Sequence, residues 1–85
     1  MIFLIDTNVL VRLEDSLDPR HAEAMAAIER LKSGGHDCQI VPQVLSEFWV
    51  VATRPIEVNG LGLDPATCDD AIREWMSFFR LRRRR

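Results

Sequence analysis

The opening residues Met1-Ile2-Phe3-Leu4-Ile5-Asp6-Thr7-Asn8 set four apolar side chains in a row directly before an acid, an alcohol and an amide. A continuous apolar run of this kind reads as a strand buried on both faces, the pattern of a parallel sheet covered by helices. Ligands of such sheets bind beyond the carboxyl ends of the strands, so Asp6 stands where chemistry is expected. The same acid is a preferred helix cap, and Val9, Leu10 and Leu13 follow it at helical spacing. The residue types alone allow both roles.

Downstream, the punctuation is regular. Asp18-Pro19 reads as a cap followed by proline at the first helical position, opening a helix from about Pro19 to Ser33 that Gly34-Gly35 ends. His21, in its first turn, is expected to face solvent. Cys38 to Val41 is a second short strand, and strand, helix, strand over this length implies parallel pairing through a right-handed crossover. Pro42 opens a helix to about Thr53, with Val44, Leu45, Phe48, Val51 and Ala52 as one apolar stripe. Arg54-Pro55 stops it, because a residue before proline is pushed out of the helical region. Asp64-Pro65 repeats the cap and proline signal ahead of a fourth helix, with Asp69, Asp70 and Glu74 facing water.

Glu47 lies at the edge of the apolar stripe of the third helix, and that helix has no lysine or arginine at helical spacing to pair with it. A solvated residue on the rim of the stripe and a functional acid are both consistent with this position. Cys38 and Cys68 are too few and too far apart for a zinc site or a disulfide framework, and read as reduced thiols of a cytoplasmic protein. No apolar run approaches the ~18 residues of a membrane span.

Eighty-five residues allow one domain, and a formal charge of −2 hides an asymmetry. Residues 1–79 hold six Lys and Arg against thirteen Asp and Glu, a net −7, while five arginines fall in residues 80–85. An acidic body argues against a broad electrostatic footprint for nucleic acid, although carboxylates that hold a divalent cation are acidic by necessity. Residues 80–85 read as an arginine-rich, disordered tail following a domain that spans residues 1–79.

The opening IFLIDTNVLVRL, the segment IVPQVLSEFWVVATRP and the following NGLGL together resemble the PIN-domain ribonucleases, and specifically the toxin of VapBC-type bacterial toxin–antitoxin pairs. The resemblance lies in the combination: a strand ending in Asp-Thr-Asn, then a strand and proline, then Glu47 on a helix ending in Thr-Arg-Pro. It implies the N-terminal part of a Rossmann-like α/β fold in which carboxylates bind Mg²⁺ or Mn²⁺ and cleave RNA. Asp6 matches the first metal-binding acid of that family and Glu47 the second. Thr7 or Asn8 matches the polar residue that accompanies the first acid.

The chain departs from the pattern at its end. Family members carry further acids downstream, and nothing after Glu74 is acidic. Asp64, Asp69, Asp70 and Glu74 do not sit in the matching elements. The resemblance therefore implies a truncated endoribonuclease of weak or absent activity. The alternative is a non-catalytic interaction module that binds a cognate antitoxin protein. Pairing into a homodimer is one way to pool acids from two chains.

Overall fold

The structure, a computed structural model, describes residues 1–82. The chain is α/β. Strand β1 (Ile2–Leu4) leads to helix α1 (Thr7–Glu14) and helix α2 (His21–Ser33), then strand β2 (Asp37–Ile40). Helix α3 (Pro42–Thr53) and helix α4 (Pro65–Phe78) follow, and a two-residue strand β3 (Arg80–Leu81) is the third strand of the sheet among the described residues. All pairs are parallel in the order β1-β2-β3, with Phe3 opposite Cys38 and Ile40 opposite Leu81. Among the described residues no helix is long and apolar enough to cross a membrane.

The order explains where the core lies. Both crossovers step in the same direction across the sheet, and right-handed connections of that kind carry their helices over one face. On that face Ile5, Cys38 and Ile40 are buried, together with Leu10 and Leu13 of α1, Ile28 of α2 and Phe48 of α3. Both cysteines are buried free thiols. The opposite face carries Ile2, Leu4, Asp37, Gln39 and Arg80 in register. Ile2 and Leu4 are 53% and 57% exposed. The expectation that β1 is buried on both faces is thus corrected: β1 is an edge strand, and the helices cover only one side of it.

Three further expectations change. The tail does not begin at Arg80, because Arg80 and Leu81 pair with Gln39 and Ile40, and the Arg82 amide donates to the Ile40 carbonyl at 2.7 Å. Central strand β2 has a free edge that recruits them. Residues 83–85 of the expected tail lie outside the described residues. Asp18-Pro19 does not cap α2 as expected; the Asp18 carboxylate accepts from the Arg20 amide at 2.7 Å in a turn, and α2 starts at His21. His21 does not simply face solvent either. Its Nδ1 lies 2.8 Å from the Arg12 carbonyl, and since a carbonyl only accepts, Nδ1 carries the proton.

Helices α3 and α4 begin as expected at Pro42 and Pro65. Arg54 ends α3 in an extended conformation, φ −63° and ψ 141°, as its place before Pro55 requires. The loop after it folds back on the end of the helix. The amides of Leu61, Gly62 and Leu63 donate to the carbonyls of Val51, Arg54 and Ala52 at 3.2, 2.8 and 2.9 Å. These three acceptors would otherwise be the orphans of a helix end. The close return needs Gly60, where a Cβ would overlap the backbone carbonyl of Arg54.

Candidate functional site

Asp6 leaves the end of β1 in an extended conformation and caps α1, its Oδ1 accepting from the Val9 amide at 3.1 Å. Both roles that the sequence allowed for Asp6 are therefore geometrically compatible. One oxygen is fixed by the helix backbone, and the other makes no hydrogen bond among the described residues.

Glu47 reaches the same place from α3. Its neighbour Phe48 points into the core with no exposed surface, which turns Glu47 towards the N-terminus of α1. The Thr7 hydroxyl donates to Glu47 Oε2 at 2.8 Å, and the Gln43 amide donates to Oε1 at 3.3 Å. The partner that the third helix lacked in lysine or arginine is thus an alcohol forty residues away and an amide one turn back. Glu47 is exposed, at the rim of the apolar stripe.

Asp6, Thr7, Asn8, Glu47 and Arg54 line one open cleft of about 460 Å³, together with Val50 and Val51 of α3. The four residues nominated from the sequence are brought together there. Gln43 and Arg54 were missed. Gln43 sits four residues before Glu47, so helical spacing alone marks it as a side-chain neighbour. Arg54 reads from the sequence as a helix terminator seven residues beyond Glu47, too far to pair with it, yet as the C-cap of α3 it borders the same cleft.

A larger cleft lies elsewhere among the described residues. About 1080 Å³ opens between α2 and α4, and among its lining residues are Glu14, Met25, Glu74 and Phe78. Trp75 also lines it, and its indole N–H is buried without an acceptor among the described residues. Volume therefore favours the α2–α4 cleft and topology the Asp6 cleft. The Asp6 cleft is the candidate because it opens beyond the carboxyl end of β1, the side of a parallel sheet on which ligands bind.

Asp6 and Glu47 are the two residues of this cleft that could hold a divalent cation. Neither carboxylate is held in an ion pair among the described residues, where the pairs are Arg73–Asp69 and Arg80–Asp37. Mg²⁺ takes few carboxylates together with waters and phosphate oxygens, a demand that this donor set meets in part. Among the described residues no three His, Cys, Asp or Glu side chains gather into a cation site. Neither family models, curated proteins nor solved structures provide a match to this chain.

Proposed function

We propose that the chain carries the metal-binding acids of a PIN-type, VapC-like ribonuclease, with Asp6 and Glu47 holding Mg²⁺ or Mn²⁺ over a single-stranded RNA phosphate. One observation supports this reading above the others: Thr7, the residue after the first acid, hydrogen-bonds the second acid at 2.8 Å. Two elements forty residues apart are thereby joined at the carboxyl end of β1.

Each side chain has a defined task in this reading. The Val9 amide fixes one oxygen of Asp6 and leaves the other for the cation. Thr7 and Gln43 hold the Glu47 carboxylate, so that ordering it does not have to be supplied by the ligand. Asn8 lines the same opening and offers an amide to a phosphate or to metal-borne water. A bound cation supplies charge neutralisation and Lewis-acid polarisation of a phosphoryl oxygen.

The second reading, a non-catalytic module that engages an antitoxin protein in the cytoplasm, rests on the presence of only two acids on the cleft among the described residues. Incubation of labelled single-stranded RNA with Mn²⁺ separates the two. The ribonuclease reading expects cleavage that Asp6→Asn and Glu47→Gln abolish. Asparagine keeps a capping oxygen, so the loss would report on charge rather than on folding. No cleavage, together with no Mn²⁺-dependent rise in melting temperature, would leave the interaction module.

A further inference from the structure

Asp6 lines two clefts. Beyond the opening shared with Glu47, it also borders a cleft of about 470 Å³ between the edge of β1 and helices α1 and α2. That second cleft carries Arg12, from the last turn of α1, and Arg20, from the turn that leads into α2. Arg54 borders the first cleft together with both acids. Each of the two clefts that Asp6 lines therefore also carries a guanidinium group.

Among the described residues none of these three arginines makes an ion pair. Glu23 shares the wall with Arg12 and Arg20 and is not within ion-pair distance of either. In a body carrying a net −7 over residues 1–79, three of its six basic residues line the two clefts that share Asp6, and none of the three is taken up by a carboxylate. Guanidinium groups present planar donor forks that match phosphate oxygens, and phosphate contacts fix the register of a bound strand without reading its bases.

We infer that Arg54, Asp6, Arg12 and Arg20 mark a track for single-stranded RNA, entering beside Arg54, crossing the acids and leaving along Arg12 and Arg20. The inference deepens the ribonuclease reading and rests on it for the direction of the strand. The arginines are positioning residues. They neutralise the flanking phosphates that the acidic body would otherwise repel, and the cation neutralises the central one. The track is independent of sequence, since it grips the backbone of the RNA.

The test is fluorescence anisotropy of a fluorescein-labelled single-stranded oligoribonucleotide, titrated with the full chain in Ca²⁺ at several NaCl concentrations. Arg12→Gln/Arg20→Ala is expected to weaken binding on the order of tenfold. The log–log salt slope should become shallower by about 0.7 for each phosphate that is no longer neutralised. Arg20→Lys should retain the wild-type slope, and Arg30→Ala, on the exposed part of α2, should match wild type throughout. Wild-type affinity and slope in the double variant, weakened binding with an unchanged slope, or no RNA binding by the wild-type chain would each overturn the track. Cleavage in Mn²⁺ reports separately. A track without cleavage sinks the hydrolytic reading alone, and Asp6-dependent cleavage indifferent to Arg12 and Arg20 sinks the track alone.

Discussion

The two faces of the sheet differ sharply at strand β1 and its neighbour. On the helix side Ile5, Cys38 and Ile40 are at most 5% exposed, whereas Ile2 and Leu4 on the other side are more than half exposed. The strands are the same, so the difference comes from the connections: two crossovers in one direction lay their helices over one face, and on the other only Gln39 of central strand β2, flanked by its neighbours, is buried. Most of the burial free energy is therefore concentrated in a single layer between sheet and helices. The acids of the cleft stand at the end of that layer, where α1 and α3 meet.

If the helix side holds the molecule together, the largest effect should come from Phe48, which has no exposed surface. Phe48→Ala should cost about 3–5 kcal/mol in a urea unfolding curve. That is a large share of the roughly 4–13 kcal/mol expected of a chain this size. A loss below about 1 kcal/mol would mean that the core is not where the comparison puts it.

An intermediate effect is expected at the boundary between core and cleft. Asp6→Ala removes the α1 cap and should destabilise by about 1 kcal/mol, whereas Asp6→Asn should cost little, since asparagine caps as well. Equal losses in the two variants would show that the hydrogen bond to Val9 contributes nothing. On the bare face Ile2→Thr and Leu4→Thr should each stay within about 0.5 kcal/mol of wild type. A cost several times larger would show that something covers this face in solution.

The smallest effect concerns pH. Burial raises the carboxyl pKa of Glu14 above its ordinary value, and the nearby charge of Glu74 adds to the shift. The folded chain then holds this proton more tightly than the unfolded one, so stability falls as pH rises from the ordinary carboxylate value through the raised one. Glu14→Gln should flatten that slope and melt slightly higher than wild type above the window, as thermal melts at several pH values would show.

Two Asp-Pro pairs show what was legible and what was not. Asp64-Pro65 starts a helix and Asp18-Pro19 makes a turn, although the local signals are alike. The difference is tertiary: α2 starts where His21 can reach the Arg12 carbonyl, a partner that periodicity does not reveal. The helices α1, α3 and α4 were readable because their apolar spacing and proline stops are local. Strand β3 was not, because Arg80 and Leu81 become a strand only by pairing with β2. At the cleft, Asp6 and Glu47 stood out as an acid ending a strand and an acid without a helical partner. The bond from Thr7 that links them spans forty residues and could not be inferred from spacing. Arg12 and Arg20 were hidden for the same reason, since nothing in their neighbourhoods distinguishes them from other surface arginines.

Gly60 carries a consequence beyond its own loop. Because it has no side chain, the returning segment can press against Arg54 and supply the end of α3 with amide donors in place of solvent. Any larger residue there would prise the two apart, and the backbone that carries the Arg54 side chain to the rim of the cleft would have to shift. A methyl group added on a surface loop would in this way blunt the cleft without touching any residue that lines it.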